Sequence, residues 1–173
     1  MNIFARIEKL ENFCFREVNY YSIRFEGADT TEFEDFLTRM ESETEHAEDV
    51  INLFTWLELI GDNQGAKEKF FRHEGYISDT KALPPRSSVM EDNKLPVHDV
   101  RLYCQRLNQY VVILFNGGIK TKRTAQECPN VSAYFNQANR IAKQINELFK
   151  QKEIKWNSEH TDIIFDADLT IEL

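Results

Sequence analysis

Hydrophobic and polar positions along the first third of the chain have the periods of a strand and of two helices. Residues 13–27 are rich in aromatic side chains, and their second half alternates apolar with polar residues, which predicts a half-buried strand. Thr31 then precedes Glu34 by three positions, the pattern of a capping box at the start of a helix. After a short polar run, a second helical stripe covers residues 50–60, and Gly61 is placed to end it. The two stripes are Phe33, Phe36, Leu37, Met40 and Val50, Leu53, Phe54, Leu57, Ile60.

The middle of the chain predicts a loop followed by a β-hairpin. Residues 61–96 have a weak pattern and hold three of the four prolines, which favours loop or edge-strand structure. A strand begins near Arg101, a turn is expected at Asn108 and Gln109, and a second strand covers the run YVVILF. That run is apolar on both faces, as is typical of a central strand. The pair Gly117 and Gly118 indicates a bulge or turn rather than a phosphate loop.

The last third predicts a long helix and one or two acidic strands. Pro129 introduces the helix, with Asn130 or Ser132 as its N-cap. Its apolar stripe is Phe135, Ala138, Ile141, Ala142, Ile145, Leu148 and Phe149. The predicted fold class is α+β: an N-terminal strand, a helical hairpin, an antiparallel sheet, a C-terminal helix and an additional acidic C-terminal strand. We expect residues 1–173 to form a single domain, with residues 157–173 as an acidic extension.

Composition excludes several classes of protein. A chain of 173 residues with 42% hydrophobic residues can bury a core, so disorder is not expected. The N-terminal segment is too charged for a secretory signal, and YVVILF is far shorter than a membrane span, so we expect a cytoplasmic protein with no membrane contact. The three cysteines form no C-x-x-C pair and the four histidines are scattered, which predicts neither a metal site nor a cofactor.

Charge is distributed unevenly along the chain. The net charge is −8, yet residues 101–155 hold ten Lys or Arg against three Asp or Glu. Such a basic block is typical of a surface that meets phosphate or an acidic partner, provided that its charges share a face. No G-x-G-x-x-G, P-loop or G-x-S-x-G pattern accompanies it.

The cations at the two ends of the predicted hairpin are the candidate site. Arg101 begins one strand, while Lys120, Lys122 and Arg123 follow the other, and antiparallel pairing would bring these ends to one edge of the sheet. Tyr103 lies two residues from Arg101, hence on the same face of the strand. Taken singly, each cation is more commonly a solvated surface charge, and the tyrosine is more commonly a packing residue.

Three stretches together resemble the RelE/HigB-like superfamily of bacterial toxins and their phage-derived relatives. They are INLFTWLELIGDNQGA, LPVHDVRLYCQRLNQYVVILFNGGIKTK and SAYFNQANRIAKQINELF, and the resemblance covers roughly residues 20–150. It implies a small antiparallel sheet that cradles RNA, with helices on the other face, and metal-independent cleavage of mRNA on the ribosome. It also implies a type II antitoxin partner of the helix-turn-helix kind.

The resemblance implies roles for single residues. Arg101, Tyr103 and Lys120 would be catalytic: the cations would neutralise the phosphate during attack by a ribose 2′-hydroxyl, and the phenol would transfer a proton or stack. The residues expected to contact nucleic acid are Arg106, Lys122, Arg123, Arg140 and Lys143.

Three departures from the family pattern keep an alternative open. The chain continues into the acidic extension, its total charge is negative, and no motif places a general base. The alternative is a non-catalytic binding protein on a RelE-like scaffold, whose basic surface engages an acidic protein partner. A further hypothesis is that the acidic extension covers the basic surface within the same molecule.

Overall fold

The structure is a computed structural model that describes residues 1–74, 79–121, 124 and 127–173. It is an α+β protein with four helices, a mixed seven-stranded sheet and a separate two-stranded β-hairpin. The elements are β1 (Phe4–Cys14), β2 (Asn19–Phe25), α1 (Glu32–Glu41), α2 (Ala47–Leu59), β3 (Arg72–His73), β4 (Lys81–Leu83), α3 (Ser87–Asn93), β5 (Val100–Arg106), β6 (Val111–Ile119), α4 (Pro129–Lys150), β7 (Ile154–Trp156), β8 (Ile163–Phe165) and β9 (Ile171–Glu172).

The large sheet has the strand order β3-β4-β5-β6-β2-β1-β9. Every neighbouring pair is antiparallel except β2 and β6, which run parallel at the centre, with Asn19 opposite Val111 and Tyr21 opposite Ile113. The expectation of a purely antiparallel sheet is therefore wrong. The parallel pair has a long connection, because between β2 and β6 the chain forms α1 and α2 and then β3, β4, α3 and β5.

Helices α1 and α2 cover one face of this sheet. The capping box is confirmed, since Thr31 accepts from the backbone N–H of Glu34 and the Glu34 carboxylate accepts from the N–H of Thr31. The predicted end of α2 is wrong, because a turn of π-helix continues the helix from Ile60 to Gln64. Gly65, at φ 74°, ends it instead, where only glycine is free of strain.

The predicted hairpin of β5 and β6 is confirmed, and it lies in the core. Both faces of β6 are buried from Val111 to Gly118. The register shifts between Leu102 and Cys104, where Tyr103 of β5 faces two residues of β6, Phe115 and Asn116, so β6 has a bulge just before the glycine pair. A Cβ on Gly117 would lie 1.9 Å from the carbonyl oxygen of Arg101, so the two backbones meet too closely for any side chain there.

Helix α4 covers the opposite face of the sheet. The apolar stripe is confirmed, with Phe135 through Ile145 buried at their stripe positions. The N-cap is Cys128, not Asn130 or Ser132, because Pro129 occupies the first helical turn where its missing N–H costs nothing. Helices thus cover both sheet faces, whereas the resemblance implies one face open to RNA. An approaching ligand must reach this sheet at an edge or at the strand ends.

The acidic extension lies away from the cations of the hairpin. Asp162 accepts from Lys9 and Tyr21, and the carbonyl of His160 accepts from Asn108 at the β5–β6 turn, while Arg101 and Lys120 occupy the other end of these strands. Strand β9 pairs with β1 at the edge of the sheet opposite β3. The hypothesis that the extension covers Arg101 and Lys120 is therefore wrong. Within the described residues, no helix is both long and apolar enough to cross a membrane.

Candidate functional site

Arg101 and Lys120 converge on one carboxylate, that of Glu74. The Lys120 Nζ lies 3.0 and 3.2 Å from the two Glu74 oxygens, and the Arg101 Nε lies 3.8 Å from the nearer one. The side chains of Arg101, Lys120 and Glu74 are only 11%, 9% and 8% exposed. We call these three residues the charged cluster. The antiparallel register that places Arg101 opposite Gly118 is what brings both cations to the same strand ends.

Hydrogen bonds hold Arg101 and Lys120 at this position. The Arg101 Nη1 donates to the carbonyl oxygens of Val100 and His98, at 2.9 and 3.2 Å. The backbone N–H of Lys120 donates to the carbonyl of Asp99, 2.7 Å away. Burial lowers the pKa of the Arg101 guanidinium, and the Glu74 carboxylate acts against this effect. The Arg101 Nε is itself buried and makes no hydrogen bond to a described residue, so part of its donor capacity is unused.

Arg72 adds a third cation beside the charged cluster. Its Nε donates to the carbonyl of Pro84 at 2.8 Å, and its side chain also bonds the carbonyl of Pro85. Burial and the nearby charge of Arg101 lower the pKa of Arg72 to about 10, with Glu74 opposing the shift. A guanidinium that is destabilised in this way gains from any further negative charge that approaches it.

Tyr103 lies beneath the charged cluster and is fully buried. Its ring packs on Phe135 of α4 at a centroid distance of 5.4 Å, and its hydroxyl has no hydrogen-bond partner among the described residues. Burial raises the pKa of the Tyr103 phenol, the Glu74 carboxylate raises it further, and Arg101 partly offsets both. The phenol therefore stays protonated at neutral pH, so it can donate a hydrogen bond but cannot serve as a base.

An open cleft of about 600 Å³ leads to Glu74 and Lys120 from solvent; we call it the cationic cleft. Its lining residues are Arg72, His73, Glu74, Arg86, Ser87, Ser88 and Lys120. Three cations and two hydroxyl groups face one carboxylate, a composition that suits a phosphate group. Arg101 and Tyr103 do not line the cationic cleft, and Arg101 adjoins it only through Glu74.

Three further residues of the predicted site, Arg106, Arg140 and Lys143, do not join this site. Arg106 lies at the other end of β5, five residues or roughly 16 Å from Arg101, where it bonds the carbonyl of Ala66 and approaches Glu68 at 3.5 Å. Arg140 and Lys143 are exposed on the outer side of α4 and form no ion pair with a described residue. Lys122 and Arg123 lie outside the described residues.

Sequence reasoning missed Glu74 and Arg72. Both stand in the stretch FFRHEG, where no period or motif singles them out, and strand β3 is only two residues long. Glu74 meets Lys120 across 46 positions of sequence, so the contact depends on the sheet order. The one local signal is the spacing of two between Arg72 and Glu74, which puts opposite charges on the same side of an extended segment.

A second group of polar side chains resembles a metal site in composition only. His46, Asp49 and Asp99 place one ligand atom each within 4.8 Å of one another. Both Asp49 oxygens, however, already accept backbone N–H groups, those of His98 at 3.0 Å and Asp99 at 2.8 Å. The Asp49 carboxylate is explained by this role, which fixes the entry into β5 against the first turn of α2.

No protein-family model, curated protein or solved structure matches the chain. The candidate function therefore rests on the geometry of the charged cluster and the cationic cleft, and on the residues of the hairpin that bear the family resemblance.

Proposed function

We propose that this protein is a toxin-like, metal-independent endoribonuclease of a type II toxin–antitoxin pair, on a RelE/HigB-like core. The observation that supports this proposal most is the meeting of Arg101 and Lys120 with Glu74 at the floor of the cationic cleft. These are the strand arginine and the first lysine of the I-K-T-K element that bear the resemblance. Glu74 adds the general base that no sequence motif places.

The chemistry follows from the charges of the cluster. A phosphodiester that enters the cationic cleft attracts Lys120 away from Glu74 and is also attracted by Arg72, because a phosphate offers each cation several acceptor oxygens. The freed Glu74 carboxylate accepts the proton of the ribose 2′-hydroxyl, whose oxygen forms the new bond to phosphorus. The bond from phosphorus to the 5′-oxygen breaks, and Lys120 gives that oxygen a proton. The products are a 2′,3′-cyclic phosphate and a 5′-hydroxyl.

Arg101 and Tyr103 take part in this scheme without lining the cationic cleft. Arg101 carries a permanent positive charge next to Glu74 and stabilises the extra negative charge on the equatorial phosphate oxygens. Tyr103 has a buried, unpaired hydroxyl that is held protonated, so its role is to donate a hydrogen bond when Glu74 changes its partners. Neither side chain needs to be exposed to do this.

Cleavage of ribosome-bound mRNA by the purified, partner-free protein tests the proposal. We expect cleavage by the wild type, with 2′,3′-cyclic phosphate ends, and a loss of about 100-fold or more for Glu74→Gln and Lys120→Ala. Lys155→Ala is the matched control, since Lys155 is an exposed lysine on β7. Arg101→Lys, which keeps the charge, should retain more activity than Arg101→Ala. Wild-type protein that cleaves nothing, or variants that all cleave equally, would contradict the proposal.

The alternative function is a non-catalytic protein that binds an acidic partner through the same cations. The burial of Arg101 and Lys120 favours it, because each is about nine-tenths covered and already holds a carboxylate. Under this alternative, Glu74 occupies the place of the partner's acidic side chain. A stable complex without growth arrest on expression would support it, whereas growth arrest relieved by a neighbouring helix-turn-helix protein would support the toxin.

A further inference from the structure

A second pocket, with a volume of about 290 Å³, opens beside the cationic cleft. We call it the amide pocket. Its lining residues are Glu68, Phe71, His73, Asp79, Lys81, Gln105, Arg106, Leu107 and Asn146. Its volume is at the small end for a ligand site, which suits a group of one or two rings. The proposed chemistry at Glu74 uses none of these side chains.

A relay of hydrogen bonds fixes the orientation of Gln105 in the amide pocket. The Asn146 Nδ2 donates to the Asp79 carboxylate, and the Gln105 Nε2 donates to the Asn146 Oδ1 at 2.9 Å and the Ala142 carbonyl at 3.3 Å. Because an ionised carboxylate and a carbonyl can only accept, neither amide can be flipped without losing these bonds. The Gln105 Oε1 is thereby left as an acceptor.

This Gln105 oxygen has no partner. The residue is 2% exposed, and its Oε1 accepts no hydrogen bond from any described residue. A buried, unsatisfied acceptor costs about 1–3 kcal/mol. The Gln105 Oε1 has essentially no accessible surface, so a ligand that supplied an N–H group to it would recover this free energy once the atoms that cover it move aside.

The charges of the amide pocket differ from those of the cationic cleft. Lys81 and Arg106 are balanced by Glu68 and Asp79, so no excess of positive charge favours a phosphate. Lys81 lies 2.8 Å from the His73 Nδ1, and its ammonium has donors left for a further acceptor. The lining of the pocket thus includes two residues with acceptor oxygens, Gln105 and Asp79, and two cations, of which Arg106 already bonds the carbonyl of Ala66 and Lys81 has donors to spare.

We propose that the amide pocket binds a guanine base. The guanine edge presents two adjacent donors, N1–H and the 2-amino group, next to the acceptor O6, which complements Gln105 and Asp79 beside Lys81. Adenine and cytosine each place a single donor group on this edge, and uracil flanks its one N–H with two acceptors. Phe71 and Leu107 supply apolar walls for the faces of the ring.

The location links this base to the proposed cleavage. His73 lines both the amide pocket and the cationic cleft, and Gln105 is four residues along β5 from Arg101, roughly 13 Å. The assignment of the guanine to RNA rests on the proposed function. The binding of guanine itself does not, since a free guanine nucleotide presents the same edge.

Titration calorimetry with GMP, IMP, AMP and UMP tests the proposal on the full chain. We expect GMP to bind most tightly, and IMP about tenfold more weakly because it lacks the 2-amino group. Gln105→Leu should remove the difference between GMP and IMP, while the control Gln151→Leu, at an exposed position, should leave it unchanged. If Gln105→Leu does not fold, Lys81→Ala should weaken GMP and IMP equally and leave AMP unaffected.

The outcomes separate this inference from the proposed function. Equal binding of all four nucleotides, or binding of none, overturns the guanine pocket, and mRNA cleavage would still stand if it occurs. Preferential GMP binding without cleavage upholds the pocket and identifies a free nucleotide as the source of the base. Cleavage that favours sites next to guanosine, and loses this preference in Gln105→Leu, upholds both.

Discussion

The ammonium group of Lys120 bridges both carboxylate oxygens of Glu74, at 3.0 and 3.2 Å, with each side chain more than nine-tenths buried. A buried pair of this kind is costly to break, because the remaining partner is left as an uncompensated charge. Replacing Glu74 with Ala should therefore lower the free energy of unfolding by about 3–5 kcal/mol. Urea denaturation of the variant and the wild type measures this difference.

Glu68→Ala is the control for that measurement. Glu68 also pairs with an arginine, Arg106, at 3.5 Å, but the Glu68 side chain is 87% exposed. We therefore expect its replacement to lower the free energy of unfolding by less than about 1 kcal/mol. Inorganic phosphate should restore stability to Glu74→Ala more than to Glu68→Ala, because an anion that binds the folded state stabilises it. Equal losses in the two variants would show that the charged cluster does not act as a buried pair.

Asp162 should make stability depend on acid pH. Burial raises its pKa, but hydrogen bonds from the Tyr21 hydroxyl and Lys9 ammonium, together with the N–H of Ile163, outweigh burial and hold the pKa below its usual value. The stabilisation is therefore complete above the unfolded value of about 3.9 and is lost as pH falls through the lower folded value. Tyr21→Phe removes one donor and brings the folded pKa closer to the unfolded value, so the variant should gain less stability from Asp162 at neutral pH and lose less as pH falls, as measured by unfolding free energies between about pH 2 and 6.

Asp168→Asn is the control for the pH series. Asp168 belongs to the same acidic extension but is exposed, so its substitution should leave the pH dependence as in the wild type. If Tyr21→Phe and the wild type lose the same free energy of unfolding over this pH range, the Tyr21 hydroxyl does not stabilise the ionised Asp162.

Gly117→Ala should destabilise the hairpin severely. The new Cβ would lie 1.9 Å from the Arg101 carbonyl oxygen and 2.9 Å from its carbon, and neither backbone atom can move without breaking the pairing. We expect the free energy of unfolding to fall by on the order of 3 kcal/mol, the upper range for overpacking a protein core. Gly27→Ala is the matched control, because no atom lies within 4 Å of its new Cβ and the cost is the backbone strain at φ 80°, about 1–2 kcal/mol. Thermal unfolding ranks the two, and a larger loss for Gly27→Ala would contradict the close approach.

Asn116→Asp should destabilise the junction of α1 with β6 at neutral pH. The Asn116 Nδ2 donates to Glu32 at 3.0 Å and to Asp35 at 2.8 Å, and an aspartate would turn both bonds into repulsions. Burial already raises the pKa of Glu32. The introduced carboxyl group should likewise have a raised pKa. We therefore expect the variant to lose about 2–3 kcal/mol of unfolding free energy at pH 7, and to lose less as the pH falls and the group becomes protonated. Urea denaturation at two pH values checks this, with the exposed Asn136→Asp on α4 as control.

Local patterns predicted the elements whose signals are local. Thr31 and Glu34 lie three positions apart and form the capping box in the structure, and the apolar run of β6 is the central strand that its two-sided hydrophobicity indicated. Strand β1 was missed because four charged residues interrupt its apolar positions, and α3 was missed because prolines flank its seven residues. In each case a tertiary contact, not local propensity, stabilises the element.

Of the residues in the charged cluster, only the two cations could be predicted from the sequence. Arg101 and Lys120 follow from the hairpin register, since antiparallel strands bring residue 101 opposite residue 118. Glu74 does not follow from any local pattern, because its partner is 46 positions away and it lies just after the two-residue strand β3, outside any element. Gln105 likewise shows no signal in the sequence, since its free acceptor is defined by Asn146 and Asp79 on distant elements.

The parallel pairing of β2 with β6 sets an order on folding. The hydroxyl of Ser22 in β2 donates to the carbonyl of Leu114 in β6, 92 positions later in the chain. A ribosome that adds about 5–20 residues per second needs roughly 5–20 s to make that stretch. Until then, β2 has β1 on one side and an unpaired edge on the other, so the nascent chain spends those seconds exposing the edge of a strand that carries Tyr20, Tyr21 and Ile23.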